Sequence, residues 1–148
     1  MGKPNLPLSL IFVFIQFLLI GLIFSTGPNT PMNLYLLILE FLAIVLGIWA
    51  VLAMGLGNFN ITPDVKADGR LITAGPYRLI RHPMYTSILV ATGVLVIDSF
   101  TVARFVIWII LLVDLLLKIK YEEGLLMQFL EGYSAYMDRS ARIIPFLY

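Results

Sequence analysis

The sequence contains no cysteine and only one histidine, His82. The absence of thiols excludes disulfide bonds, thiolate metal sites and cysteine nucleophiles, and a lone histidine argues against a zinc site. Charged residues are also scarce, because they make up 13% of the chain, about half of what a soluble domain carries. The formal net charge is +1, so the composition gives no indication of nucleic acid as a partner.

Apolar residues, by contrast, are abundant. They form 60% of the 148 residues, and the mean hydropathy is +0.96. A chain of this length is expected to form one domain, and a domain this small leaves much of its surface in contact with solvent. Because a lipid bilayer is the solvent that suits so apolar a surface, we predict a single all-α integral membrane domain over residues 1–148.

Four apolar runs set the predicted organisation. Since about 20 residues of helix cross the hydrocarbon core, we predict four transmembrane helices in two hairpins, at about 6–24, 34–54, 83–97 and 101–117. The third run is short, and the fourth is marginal unless its helix continues into the residues that follow. A polar loop at 55–82 separates the hairpins, and a polar tail occupies 118–148.

Basic residues are distributed unevenly among the loops. Of the ten lysines and arginines, only Arg104 lies near the side occupied by the two short loops. The positive-inside rule then places both termini and the middle loop in the cytoplasm. The polar loop and the tail are therefore predicted to share one side of the membrane, where together they can build one site.

The densest polar cluster is "TAGPYRLIRHPMY", from Thr73 to Tyr85. Pro83 suits the first turn of a helix, so Arg81 and His82 are expected beside a helix N-terminus, which is a place to hold an anion. Anchoring of the helix to lipid headgroups is an alternative role for arginine and tyrosine in this position. The residue types of this stretch leave both roles open.

Acidic residues mark the tail and two of the apolar runs. Lys118 and Glu122 lie four residues apart on one helical face, with Glu123 beside them, and one of these glutamates can face inward to hold an ammonium group. A solvated salt-bridge surface is the alternative. Glu40 and Asp114 are acids inside predicted spans, where a carboxylate suggests function, but we expect both to have structural roles.

The order of these motifs resembles the isoprenylcysteine carboxyl methyltransferase family. The resemblance rests on "GPYRLIRHPMY", a hydrophobic hairpin, and then "EEGLL", "FLEGYSAY" and "IIP", and it extends from about Gly57 to Pro145. It implies transfer of a methyl group from S-adenosylmethionine to a lipophilic substrate that enters from the bilayer at the cytoplasmic face. O-methylation of an isoprenylcysteine-type carboxylate is the favoured reaction.

The resemblance also implies the roles of individual residues. Glu122 would hold the ammonium group of the cofactor, and Lys118 would face the polar end of the substrate. Arg81, beside the pocket, and Glu123, as a base for an amine acceptor, are the catalytic candidates. The other residues expected to line the cofactor pocket are Gly69, Arg70, Leu71, Ile72, Tyr77, His82, Pro83, Met84 and Tyr85.

The sequence departs from the family pattern, and these departures leave alternative functions open. The family commonly has a glycine where this chain has Ser87, and Lys118 replaces the usual arginine, whose planar fork suits a carboxylate better. Phospholipid N-methyltransferases share much of the pattern, so an amine of a phospholipid or another small lipid is an alternative acceptor. An NADPH-dependent membrane reductase of the steroid reductase type and a non-catalytic membrane protein are the remaining alternatives.

Overall fold

The computed structural model describes residues 6–55 and 70–145, and within these ranges it confirms the all-helical fold. The predicted spans agree closely with the helices except at the end of the fourth, where the helix continues twelve residues beyond 117. The first part of the predicted tail is therefore helical. The helices are α1 (Leu6–Ser25), α2 (Leu34–Met54), α3 (Pro83–Asp98), α4 (Val102–Phe129) and α5 (Tyr133–Met137), with a short 3-10 turn at Gly75–Arg78 before α3.

Local capping explains where several helices begin. The side chain of Asn33 accepts hydrogen bonds from the Tyr35 and Leu36 backbone N–H groups in the first turn of α2. The Thr101 hydroxyl accepts one from the Arg104 backbone N–H at the start of α4. Such caps satisfy donors that have no partner within the helix. Pro83 occupies the first turn of α3 as predicted, because its missing N–H costs nothing there.

The helices pack as two pairs that share a core. α2 lies against α3 and α1 lies against α4, while α3 and α4 contact each other and join the pairs. The buried core is made chiefly of aliphatic side chains from α1, α3 and α4. Ser87, where the family commonly has glycine, donates a hydrogen bond to the Ala43 carbonyl of α2 at 2.7 Å. Gly47 allows this approach, since a Cβ there would lie 2.5 Å from Ser87 Oγ.

Two of the helices have the length and hydropathy needed to cross a bilayer. They are α1 with 20 residues and α2 with 21, and large side chains such as Phe14 and Leu52 are exposed on their outer faces. α3 has 16 residues. α4 has 28 residues, about 42 Å of helix, but Arg104, Asp114 and Lys118 interrupt its apolar sequence. The structure thus supports a membrane protein, while the arrangement of four spans stays a prediction.

A buried arginine joins three helix ends on the side of the molecule where α4 begins. Arg104 is 1% exposed, and its guanidinium donates hydrogen bonds to the carbonyls of Ser99 at 3.0 Å and Ile23 at 3.3 Å. Gly27 lies directly against this guanidinium, so that any side chain there would meet it. Arg104 therefore binds the C-terminal ends of α1 and α3 to the start of α4.

Candidate functional site

The loop before α3 is held in place by the segment that follows α5. Ile80 and Ala141 form an isolated parallel β-bridge, in which the Arg81 N–H donates to the Ala141 carbonyl at 2.8 Å. One residue further on, the His82 N–H donates to the Arg142 carbonyl at 3.1 Å. These backbone hydrogen bonds fix the direction in which the Arg81 and His82 side chains leave the loop.

A buried carboxylate lies at the centre of an ion cluster, which we define as Arg81, His82, Glu123 and Arg142. Arg81 Nε donates to Glu123 Oε1 at 2.8 Å, and an Arg142 Nη lies 2.9 Å from Glu123 Oε2. His82 Nε2 is 3.4 Å from Oε1. Arg81 also donates to the carbonyls of Met137 and Ser140. Both oxygens of Glu123 are thus occupied by cationic or polar partners from the loop and the C-terminal segment.

These neighbours decide the protonation state of Glu123. Burial by itself would raise the pKa of this carboxyl group, but the adjacent His82 and Arg81 side chains favour the charged form more strongly and lower the pKa to about 2. Glu123 is therefore ionised throughout the physiological range. It is also a weak base, because a group with so low a pKa holds a proton poorly.

Glu122 is arranged differently from its neighbour. The Tyr85 hydroxyl donates to Glu122 Oε2 at 2.9 Å, and His82 Nδ1 lies 3.8 Å from the same oxygen. The His82 and Tyr85 rings stack, with centroids 5.4 Å apart and planes inclined by 3°. The Glu122 side chain keeps 25% of its surface exposed, against 4% for Glu123. Glu122 is thus oriented by two aromatic residues and still accessible to a ligand.

Lys118 lies one helical turn before Glu122 and is 1% exposed. Its Nζ donates to Gln16 Oε1 of α1 at 2.7 Å and lies 5.1 Å from the centroid of the Tyr85 ring. A cation over an aromatic face is stabilised by the ring quadrupole. Lys118 therefore connects the polar site to α1, on the side that faces the apolar interior.

Three buried tyrosines surround the carboxylates. The Tyr136 hydroxyl donates to the Tyr77 carbonyl at 2.6 Å, which ties α5 to the 3-10 turn. The Tyr77 and Tyr133 hydroxyls are buried and have no hydrogen-bond partner among the described residues. Burial, followed by the nearby negative charge of Glu122 for Tyr77 and of Glu123 for Tyr133, raises the pKa of both phenols. Both remain neutral hydroxyl donors and acceptors at physiological pH.

The structure brings the central residues of the predicted site together. Arg81, His82, Tyr85, Lys118, Glu122 and Glu123 lie in one continuous series of contacts. Pro83 and Tyr77 are buried close by, Met84, Leu71 and Ile72 are half-buried, and Arg70 is exposed. Gly69 lies outside the described residues. The catalytic, cofactor and substrate roles assigned to these residues stay predictions.

The sequence analysis did not identify two residues of the site. Gln16 is the hydrogen-bond partner of Lys118, and the only signal for it was a polar residue inside the first apolar run. Arg142 binds Glu123, but in the sequence it contributed only to the membrane orientation. Both depend on contacts between residues far apart in the chain, which motif spacing does not reveal.

Comparison with known families assigns the chain to a class of enzymes. The model of the isoprenylcysteine carboxyl methyltransferase (ICMT) family matches residues 35–128, a range that includes α3 and nearly all of α2 and α4. No curated protein gives a significant match. Gln16 and Arg142 lie outside the matched range, whereas Arg81, Lys118 and both glutamates lie within it. Since the match covers more than half of the sequence, the chain belongs to the isoprenylcysteine carboxyl methyltransferase family.

Proposed function

We propose that the protein transfers a methyl group from S-adenosylmethionine to a lipophilic acceptor at the cytoplasmic face of a membrane. A carboxylate of the isoprenylcysteine type is the favoured acceptor. The observation that carries this proposal is the difference between two adjacent carboxylates. Both oxygens of Glu123 are bound by Arg81 and Arg142. Glu122, in contrast, is held by Tyr85 and His82 and remains accessible.

The residues around Glu122 fit the cofactor. The amino-acid end of the cofactor carries an ammonium group, for which Glu122 supplies the opposite charge. The Tyr77 and Tyr133 hydroxyls, which no described residue bonds, supply hydrogen-bonding groups. The stacked rings of His82 and Tyr85 offer aromatic surface, which attracts a sulfonium cation. When bound, the cofactor supplies an electrophilic methyl group. The backbone around residues 69–72 and the Pro83 and Met84 side chains are proposed to complete the pocket.

Glu123 and Arg81 suit a positioning role within this mechanism. The ion cluster fixes the loop that carries His82, and thereby fixes the surroundings of Glu122. With its pKa at about 2, Glu123 is a poor acceptor for a proton at neutral pH. A carboxylate acceptor is already ionised near neutral pH and needs no base. Its placement and its removal from water would supply most of the rate.

Lys118 is the residue that we propose to bind the charge of a carboxylate acceptor. It lies on the interior side of Glu122 and contacts α1 through Gln16, so a substrate that enters sideways from the bilayer would meet it beside the cofactor pocket. Removing Lys118 would leave the negative charge of such a substrate without a counter-ion in an apolar site, which is costly. Lys118 is therefore proposed to bind the acceptor and to orient it.

The test is a calorimetric titration of the full-length protein in detergent with S-adenosylhomocysteine, and with NADPH as the comparison ligand. We expect saturable binding of S-adenosylhomocysteine and none of NADPH. Glu122→Gln should weaken the binding at least tenfold, because the ammonium loses its counter-ion while the shape of the side chain is kept. Glu131→Gln, which changes an exposed glutamate in the same part of the chain, is the matched control.

Two results would contradict this proposal. Binding of NADPH in place of S-adenosylhomocysteine would indicate a reductase. Equal binding of S-adenosylhomocysteine by the wild type and Glu122→Gln would show that the ammonium lies elsewhere. A second assay then tests the acceptor. It measures conversion of a prenylated cysteine analogue with a free carboxylate to its methyl ester, and the same analogue in amidated form is the comparison.

A further inference from the structure

Asp114 is a buried carboxylate for which the mechanism above has no use. It lies on α4 with 6% of its surface exposed, and its Oδ2 atom is fully buried without a hydrogen-bond partner among the described residues. The sequence predicts a structural role for Asp114, but the described part of the chain provides no hydrogen-bond partner for Oδ2. Buried polar atoms of this kind are rare, because each costs free energy that a hydrogen bond would recover.

The position of Asp114 relates it to the site already described. Asp114, Lys118 and Glu122 are spaced by four residues, so they lie along one face of α4, about 6 Å apart along the helix axis. Glu122 is the accessible member at one end of this row, while Lys118 directs its ammonium group to Gln16. Asp114 is therefore the charge of the row farthest from Glu122, about 12 Å away along the axis, and it lies on α4 between the core residues Leu111 and Leu115.

We propose that Asp114 is a binding site for the nitrogen of a lipid amine, so that the acceptor site receives two classes of lipid. Lys118 would bind a carboxylate, and Asp114 would bind the ammonium or N–H group of an amine-bearing lipid. This inference rests on the proposed function, because it assumes that acceptors enter beside Lys118. The ligand is proposed to be a lipid because the core residues Leu111 and Leu115 flank Asp114 on α4, so an apolar tail would suit the surroundings of the nitrogen.

The physical basis is the state of the carboxylate before the ligand binds. A carboxylate oxygen that is already removed from water and unpaired gains a full charge-assisted hydrogen bond when an N–H donor arrives. A site of this kind discriminates strongly against ligands that lack the donor, because they leave its polar atom unpaired. Asp114 should therefore distinguish a long-chain amine from an uncharged or anionic lipid of the same length.

The test compares two amphiphiles of equal chain length, a long-chain primary amine and the corresponding fatty acid. Each is added to the full-length protein in detergent, and native mass spectrometry measures how many molecules bind. We expect Asp114→Asn to weaken binding of the amine at least tenfold and to leave the fatty acid unchanged. Lys118→Met should have the opposite selectivity. Equal amine binding by the wild type and Asp114→Asn would overturn the inference and indicate an acid that is merely buried or hydrated.

A second measurement uses the unaltered protein and so does not depend on the folding of a variant. Dicyclohexylcarbodiimide, which is apolar and reacts with carboxyl groups inside membranes, should label Asp114, as located by peptide mass spectrometry. The amine should protect Asp114 from labelling, and the fatty acid should not. Labelling that is indifferent to both lipids would also overturn the inference.

S-adenosylhomocysteine binding separates the two proposals. Asp114→Asn should bind this cofactor analogue with wild-type affinity, because Asp114 is two helical turns from Glu122. If the wild type fails to bind the analogue while amine binding still depends on Asp114, the methyltransferase proposal fails and the lipid-amine site stands. If the analogue binds and the amine is indifferent to Asp114→Asn, the proposed function stands and the inference fails.

Discussion

Two arginines are buried near opposite ends of α4, and the structure satisfies them in different ways. Arg81 is bound to the carboxylate of Glu123, within a cluster that also contains His82 and Arg142. Arg104 donates its hydrogen bonds to backbone carbonyls, those of Ser99 and Ile23. About 28 Å of helix separates residue 104 from residue 123.

The difference between the partners of these two arginines indicates the role of each end of α4. The last carbonyls of every helix have no hydrogen-bond partner within the helix. An arginine that donates to them satisfies these groups and stabilises the packing of the helix ends. An arginine bound to a buried carboxylate belongs to a balanced set of charges, in which loss of one member leaves the others uncompensated. The balanced set adjoins the accessible Glu122, and we therefore expect substitutions there to change both binding and stability.

The largest effect is expected from removal of the shared carboxylate. Glu123→Ala leaves Arg81, Arg142 and His82 without their anion, and breaking a buried ion pair in this way costs about 3–5 kcal/mol. We expect a large fall in the melting temperature in detergent and loss of S-adenosylhomocysteine binding. Glu131→Ala, at an exposed position, should behave as the wild type. A wild-type melting temperature for Glu123→Ala would show that the cluster does not stabilise the fold.

Protonation of Glu123 at low pH should produce part of the same loss of stability without a substitution. Because the pKa of Glu123 is about 2 in the folded state and 4.5 is its ordinary value, the unfolded chain binds the proton more readily. The stabilisation is therefore complete above about pH 5 and is lost as the pH falls from there towards 2. The melting temperature of the wild type should fall in this range more steeply than that of Glu123→Gln. Parallel curves for the two proteins would contradict the assignment.

A smaller effect is expected from Arg142, which tests whether the C-terminal segment contributes to the site. Arg142→Ala removes one charge-assisted hydrogen bond to Glu123, worth about 1.5–3 kcal/mol when buried and less here because the side chain is 28% exposed. We expect about tenfold weaker binding of S-adenosylhomocysteine, with partial recovery in Arg142→Lys. Arg139→Ala is the matched control, since Arg139 is exposed and bonded to the Ala135 carbonyl. Equal affinities in the two alanine variants would exclude a positioning role for Arg142.

The smallest effect on binding, and the one that separates the two ends, is expected at Arg104. Arg104→Met keeps the length of the side chain and removes its two hydrogen bonds to the helix ends, at a cost of about 1.5–3 kcal/mol for each. The melting temperature should fall while the affinity for S-adenosylhomocysteine stays unchanged. Lys120→Met, an exposed position on the same helix, is the control. A loss of affinity in Arg104→Met would remove the distinction between a structural end and a binding end.

Much of the fold follows from local sequence. The apolar runs predicted α1, α2 and α3 to within one residue of the observed ends, because helix length and capping depend on neighbouring residues. α4 was underestimated, since its charged residues after 117 interrupt the apolar run without ending the helix. Four of its residues from this second part are buried against the rest of the molecule, namely Lys118, Ile119, Glu123 and Leu125.

The sequence by itself determined the class of the protein, the bounds of α1, α2 and α3, and the two motifs that meet at the candidate site, because hydropathy and motif order are properties of the chain. Only the tertiary structure decided which of the paired glutamates is buried among cations and which stays accessible. Neighbouring residues on a helix point about 100° apart, so the rotation of α4 decides which of the two enters the ion cluster. Packing against α1 and α3 fixes that rotation, turning Glu123 towards Arg81 and Arg142 and leaving Glu122 accessible beside Tyr85.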